Sequence, residues 1–185
     1  MDAAANLHPH LRRAARGGGF SFIELLVTLS VLALLAAFAA PVFHSMLEKQ
    51  RVYDAATRLF HDLARARSEA VRRGQTVALC KSAGGGACGG GGEWSDGWIV
   101  FVDLNNSATR DSGEAVLRVQ QSLGGSAHTR NSGGAAVHFK STGARTGGGA
   151  TWQFCAPGKT ESIYAVSLYH SGRARLIKDE NKTCG

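Results

Sequence analysis

A run of 21 residues from Phe20 to Ala40 contains a single charged residue, Glu24. As an α-helix rising about 1.5 Å per residue, this run is long enough to cross the hydrocarbon core of a membrane. A carboxylate at that depth costs at least about 2.5 kcal/mol. The run therefore predicts a membrane helix in which Glu24 has a functional partner.

The residues before the apolar run are basic. Arg12, Arg13 and Arg16 stand against Asp2 alone, and such a flank stays cytoplasmic and sends the following chain outward. An ordinary signal peptide has an apolar region of about 7–15 residues, followed by a small-residue cleavage site. Here the run is longer and the small residues, Gly17–Gly19, come before it. A cut on the cytoplasmic side would therefore leave the apolar helix in the product.

The segment from Val42 to Arg73 predicts a second, amphipathic stretch of helix. Pro41 closes the apolar run and predicts a kink or local melting point, since proline removes a helical hydrogen bond. Gly74 is a natural C-terminal stop. A coiled-coil linker is the alternative, but the aromatic residues in the stripe favour packing on a β-domain. Apolar residues recur at steps of three and four: Phe43, Met46, Leu47, Tyr53, Ala56, Leu59, Phe60, Leu63 and Ala70.

The sequence pattern in the rest of the chain predicts short strands separated by Gly, Ser and Asn. No helix of normal length fits between them, which predicts antiparallel sheets. The candidate strands are Thr76–Lys81, Trp98–Asp103, Ala115–Gln120, Ala135–Lys140, Thr151–Cys155, Ile163–Tyr169 and Arg173–Lys178.

The sequence G-F-S-F-I-E, Gly19 to Glu24, followed by an apolar run, resembles the class III signal of type IV prepilins. The resemblance implies cleavage between Gly19 and Phe20 by a prepilin peptidase, and then N-methylation of Phe20. It also implies that Glu24 pairs with the N-terminal amine of a neighbouring subunit during fibre assembly. The simpler alternative is a plain membrane anchor with one stray acid.

Two further stretches, ARARSEAVRRGQTVALC (Ala64 to Cys80) and WSDGWIVFVDLNN (Trp94 to Asn106), resemble the GspH/FimT group of minor pilins and pseudopilins. The resemblance implies an α+β, type IV pilin-like fold, with a long N-terminal helix packed on a C-terminal domain of antiparallel β-sheets. The first half of that helix spans the membrane. The expected segments are a prepilin leader (1–19), a transmembrane and assembly helix (20–41), an amphipathic helix (42–74) and a β-rich domain (75–185).

This resemblance also sets the expected location and partners. The protein would be anchored once in the bacterial inner membrane, with a periplasmic C-terminal domain, and incorporated into a periplasmic or surface fibre. Its partners would be the prepilin peptidase, other pilins or pseudopilins, and the fibre assembly machinery. Its position in the fibre stays open.

Four cysteines follow the membrane segment, on the side where oxidation is favoured. Three pairings are possible. We favour Cys80 with Cys88, around a short glycine-rich loop, and Cys155 with Cys184, which would tie the tail to a strand. The C-x7-C spacing and the lack of a C-x-x-C pair disfavour a zinc site, and no base is positioned for a nucleophilic cysteine.

The segment from Asp103 to Glu114 partly matches a calcium-loop template. However, Ala108 stands where the template needs glycine, and Ser107 is a weak ligand. A polar hairpin with Asn and Asp as turn residues is the alternative, and the question stays open. No catalytic motif is present in the sequence, so we do not expect an enzyme. We assign no cofactor, and we assign no metal to this loop.

The charge is concentrated near the C-terminus. The chain has a net charge of +7, and His128 to Gly185 alone contains eight Lys or Arg and three Asp or Glu. In SGRARLIK, Arg173 and Arg175 are two residues apart, which aims both at one face of a strand. The G-R-x-R sequence resembles the C-terminal motif of DNA-binding FimT-type minor pilins.

The resemblance implies that Arg173 and Arg175 bind double-stranded DNA without sequence preference during natural transformation. Lys178 and Lys182 would add long-range attraction. The alternative is a minor pseudopilin of the type II secretion system, of the protein H type, with a purely structural role.

Overall fold

The computed structural model describes residues 19–89, 92–125, 127–179 and 183, without the side chains of residues 39–42. Contacts divide the chain into two compact units, Met1–Val42 and Phe43–Gly185. The predicted leader therefore lies outside the described residues, except for Gly19.

The first unit contains the apolar start of helix α1, which runs from Phe22 to Arg73. Leucine and alanine, which dominate this start, are strong helix formers. Two polar side chains in this segment form hydrogen bonds to the helix backbone. The hydroxyls of Thr28 and Ser30 donate to the carbonyls of Leu25 and Leu26 at 2.9 and 2.7 Å. The apolar side chains themselves are exposed, so this segment presents a continuous unpaired apolar surface.

No single helix within the described residues is both long and apolar enough to cross a membrane. By length and composition alone, the segments Phe22–Phe38 and Phe43–Arg73 meet that requirement together as one broken span.

The second unit is built on the later part of α1. One face of this segment is fully buried because small and branched apolar residues recur every three or four positions. Gly74 ends the helix with φ at +65°, a conformation that glycine adopts without strain. The buried helical residues are Val52, Ala55, Ala56, Leu59, Leu63, Ala66 and Ala70.

Eight strands follow: β1 Val77–Lys81, β2 Trp98–Val102, β3 Val116–Gln120, β4 His128–Asn131, β5 Ala136–Phe139, β6 Ala150–Cys155, β7 Ser162–Leu168 and β8 Ala174–Lys178. They form two four-stranded sheets, in the orders β3-β2-β1-β5 and β4-β6-β7-β8. Every described strand pair is antiparallel, as the sequence predicts.

A single core joins the helix to both sheets. The buried helical face packs in one cluster with side chains such as Leu79 and Trp98 from the first sheet and Trp152 and Val166 from the second. Within this core the Trp98 indole N–H donates to Asp62 of α1 at 2.9 Å. Arg118 lies 3.5 Å from the same carboxylate, so Asp62 ties the helix to the first sheet by a directional contact.

The structure differs from the sequence expectation in two places. Strand β4 was not predicted, because His-Thr-Arg-Asn lacks the aliphatic and aromatic pattern of a strand. It forms as an edge strand paired with β6. In addition, Phe43, Met46 and Leu47 belong to the predicted packing stripe, but their side chains are exposed.

Replacing Asp62 by Ala would leave the Trp98 indole N–H buried without its acceptor. We expect the free energy of unfolding to fall by about 1–3 kcal/mol, measured by urea denaturation of the full chain in a nonionic detergent. Asp62→Asn keeps an acceptor oxygen and should cost less. Equal stability of Asp62→Ala and the native chain would contradict the assigned role.

Candidate functional site

The residues predicted for processing and assembly lie at the start of the described chain. Gly19 and Phe20 precede α1, and the Phe20 side chain is 85% exposed. Glu24 lies in the first turn of the helix, where a carboxylate is favoured by the helix dipole. Glu24 is exposed, and no salt bridge between described residues includes it. Its carboxylate is therefore accessible to a cation from another molecule.

The predicted DNA-binding arginines lie at the β7–β8 hairpin: Arg173 is on the turn, and Arg175 is the second residue of β8. The Gly172 N–H donates to the Tyr169 carbonyl at 2.9 Å, and the Tyr169 N–H donates to the Arg173 carbonyl at 3.0 Å. Gly172 has φ at +78° and is packed so closely that a Cβ there would overlap the carbonyl oxygen of Gly143. Both the dihedral angle and the contact require glycine at this position.

The loop between β5 and β6 contacts the β7–β8 turn and supports it. The Arg145 N–H donates to the His170 carbonyl at 3.0 Å, and His170 Nδ1 lies 2.9 Å from the Gly147 carbonyl oxygen. From the helix, Arg67 Nε donates to the Gly143 carbonyl at 3.0 Å. The turn that carries Arg173 is thus held by contacts from two other parts of the chain.

Strand alternation sets the direction of the basic side chains. Ala174 and Leu176 pack against the core, so Arg175 points away from it. Arg173 precedes β8 and lines a groove beside the helix, so the prediction that both arginines lie on one face of a strand applies to Arg175 alone. Both arginines are exposed. Lys178 is also exposed, but its position in the alternation matches that of Leu176 rather than Arg175. Lys182 lies outside the described residues.

Arg145, one of the cations in the basic C-terminal third, does not reach the surface. It is 5% exposed, and burial lowers the pKa of its guanidinium. Its Nε and Nη1 have no hydrogen-bond partner among the described residues. Arg145 therefore contributes through its backbone contact with the turn rather than as a surface charge.

Sequence reasoning missed the arginines at the end of α1. Arg67 and Arg72 line the same groove as Arg173, a space of about 640 Å³ between the helix and the β7–β8 turn. The charge of ARARSEAVRRG was visible in the sequence, but nothing there showed that it lies next to a turn about one hundred residues later. The packing of α1 against the sheets brings these segments together.

Glu69 is the acidic residue of this groove. Its carboxylate accepts hydrogen bonds from Arg72 at 2.5 Å and from Arg73 at 2.7 Å. Hydrogen bonds from Arg73 and then Arg72 lower the pKa of Glu69. The carboxylate therefore stays ionised and partly neutralises the helix end.

The loop from Asp103 to Glu114 uses its carboxylates to close its own turns. Asp103 accepts backbone N–H groups from Ser107 and Ala108 at 3.1 and 3.2 Å. Glu114 accepts those of Leu104 and Asp111 at 2.8 and 2.9 Å. In the described ranges, no group of three or more candidate ligands is placed to hold a metal ion.

Cys80 and Cys88 form a disulfide with a Cα–Cα distance of 5.6 Å, in the pairing that we favoured from the sequence. The bridged loop lies on the outer face of the first sheet, where Cys88 packs on Ile99 and Phe101. Cys155 is also disulfide-bonded, and its predicted partner Cys184 lies outside the described residues.

Comparison with known proteins identifies the fold and the family. Residues 55–172 match the family described as "Type II transport protein GspH", and residues 15–40 match the prokaryotic N-terminal methylation motif. The family match covers more than half of the chain. The chain belongs to the GspH family. It is a minor pilin or pseudopilin of the type IV pilus or type II secretion type.

Solved structures of GspH-like proteins share the architecture. The type IV minor pilin FimU of Pseudomonas aeruginosa is 20% identical with a TM-score of 0.59, and the alignment covers 76% of this chain and 99% of FimU. The minor pseudopilin EpsH of Vibrio cholerae is 14% identical with a TM-score of 0.51, covering 69% and 97% respectively. No curated protein sequence matches the chain significantly.

Both likenesses support the predicted α+β fold, a long N-terminal helix with a domain of antiparallel sheets. The methylation motif implies processing by a prepilin peptidase and assembly with other pilins. The apolar N-terminal helix is of the kind that anchors pilins in a membrane and enters the fibre.

Gly172→Ala tests the packing of the β7–β8 turn. A left-handed non-glycine residue costs roughly 1–2 kcal/mol, and the overlap with Gly143 should add to this. We expect a lower midpoint in urea denaturation. Gly148→Ala is the control, since nothing lies within 4 Å of a Cβ there. An unchanged midpoint for Gly172→Ala would refute the packing argument.

Proposed function

We propose that this GspH-family subunit enters a type IV pilus-like fibre and binds double-stranded DNA non-specifically for uptake in natural transformation. The observation that carries the proposal is the exposed pair Arg173, on the β7–β8 turn, and Arg175, at the start of β8. Gly143 packs against this turn, and Arg67 donates to the Gly143 carbonyl. Bracing reduces the conformational entropy that the arginines lose on binding.

Arginine suits this ligand because its planar guanidinium can hold two phosphate oxygens at once. Contacts to phosphates carry no sequence information and depend steeply on salt. Lys178 and Lys182 would add long-range attraction from outside the arginine pair.

The N-terminal residues support assembly into a fibre. We propose that Gly19 is the last residue of the leader and that Phe20 becomes the methylated N-terminus. Glu24 would then pair with the N-terminal amine of a neighbouring subunit, which compensates the buried carboxylate. The helix 20–41 would cross the inner membrane once, leaving the amphipathic helix 42–74 and the β-rich domain 75–185 in the periplasm.

The second candidate is a minor pseudopilin of the type II secretion system with a structural role alone. The family match itself favours it, since that family is described as a type II transport protein. Glu24 and the apolar helix serve either role. Binding of DNA through Arg173 and Arg175 separates the two candidates.

Processing should leave Phe20 as the first residue, because assembly requires a free amine close to Glu24. N-terminal sequencing of membrane-extracted protein from a host with an active prepilin peptidase measures this. Glu24→Ala should be cut normally but should enter fibres poorly. A different first residue, or an uncut chain, would rule out the proposed signal.

The double variant Arg173→Gln/Arg175→Gln should bind duplex DNA more weakly, whatever its sequence. Its plot of log K against log salt should be flatter by about 2, because two phosphate contacts are lost. Fluorescence anisotropy of labelled duplexes with the full chain in a nonionic detergent provides the measurement.

Arg58→Gln is the matched control, since Arg58 is an exposed helical arginine away from the turn. The leader arginines Arg12, Arg13 and Arg16 are present in every variant and cancel in the comparison. If the double variant bound like the native chain, or the native chain did not bind at low salt, the structural role would remain.

A further inference from the structure

The groove beside Arg173 has two walls that come from distant parts of the sequence. One wall is the flank of α1 near its C-terminus, where Arg67 and Arg72 contribute side chains. The other is the β7–β8 turn with Gly172 and Arg173. Arg67 links the walls indirectly, since its Nε donates to the carbonyl of Gly143, which packs against Gly172.

Charge around this groove is strongly unbalanced. From Arg65 to Arg73 the helix contains four arginines and one carboxylate, that of Glu69. The side chain of Arg72 is 65% exposed, whereas that of Glu69 is 22% exposed. The cations therefore face solvent more fully than the anion that balances them, and the groove suits an anionic ligand.

Glu69 already accepts hydrogen bonds from the arginines that such a ligand would contact at the end of the helix. Its Oε2 atom accepts hydrogen bonds from both Arg72 and Arg73, in the way that a phosphate oxygen would. An incoming phosphate must therefore displace this carboxylate, or share the arginines with it.

We propose that the groove between the end of α1 and the β7–β8 turn binds the phosphodiester backbone of a nucleic acid, and that Glu69 competes with it for Arg72 and Arg73. This inference rests on the proposed DNA binding and adds a second wall to the site. Arg173 holds the backbone from the turn and Arg72 holds it from the helix. Arg67 is a positioning residue, because its Nε is used by the Gly143 carbonyl.

A nucleic acid fits this groove better than an acidic protein segment does. The cations that line the groove are all arginines, and the arginine guanidinium can bind two phosphate oxygens at once. Arg72 on one wall and Arg173 on the other match a ligand that repeats its charge at regular intervals.

The decisive variant is Glu69→Gln, because it should strengthen binding. Removing the competing carboxylate should tighten duplex binding about two- to fivefold at low salt. The slope of log K against log salt should steepen by about 1, since one more phosphate is neutralised.

Arg72→Gln should have the opposite effect, with a slope flatter by about 1. Anisotropy of a labelled duplex with the full chain in a nonionic detergent measures all three chains.

Asp54→Asn is the control for a general loss of negative charge. Asp54 is exposed on the same helix, about 22 Å along the axis from Glu69 at 1.5 Å per residue, beyond the Debye length of about 10 Å at 0.1 M salt. It should bind like the native chain. Helical circular dichroism against temperature shows whether each variant is folded.

The outcomes separate this inference from the function on which it rests. If Arg173→Gln/Arg175→Gln weakens binding but Glu69→Gln behaves like Asp54→Asn, the groove is not part of the site and the inference fails alone. The same result is expected if the groove instead receives an acidic neighbouring subunit. If the native chain binds no duplex at low salt, both proposals fail.

Discussion

One helical face covers two sheets at once, and the rest of the domain depends on that burial. From Val52 to Ala70 the buried positions of α1 are mostly Ala, Leu and Val, and the small alanines allow β-strands to approach closely. Because the cluster is shared with residues of both sheets, neither sheet can bury its inner face without the helix. Asp62 makes this packing directional, since the hydrogen bond that it accepts from the Trp98 indole fixes the rotation of the helix relative to the first sheet.

This arrangement also creates the basic site. Near the end of α1, Arg67 donates to the carbonyl of Gly143 in the loop between β5 and β6. The contact between Gly143 and Gly172 then places the β7–β8 turn beside the helix. Stability and charge are thus linked: the bracing that holds the turn also brings the arginines of two segments into one groove.

Much of this could be predicted from the sequence, for identifiable reasons. The apolar run with Glu24, the amphipathic helix ending at Gly74 and seven strand segments all have local patterns. Strand β4 could not be predicted because His128–Asn131 is polar, and its pairing with β6 rather than its own propensity makes it a strand. The groove was missed for a related reason: Arg72 and Arg173 are distant in sequence and line one groove only because α1 packs on the sheets. The basic motif itself was found because Gly172, Arg173 and Arg175 lie within four residues of one another.

Glu69 links the free and bound states of the proposed site. Without a bound anion, Arg72 and Arg73 would repel each other at the end of the helix, and the carboxylate between them offsets that repulsion. When a phosphate binds, the net free energy of binding is the difference between the new arginine–phosphate contacts and the arginine–Glu69 contacts that they replace. Affinity per subunit would then be modest and highly sensitive to salt. Such a weak contact suits a fibre subunit that must release nucleic acid as well as bind it. Glu69, the group that competes with the ligand, is already part of the helix.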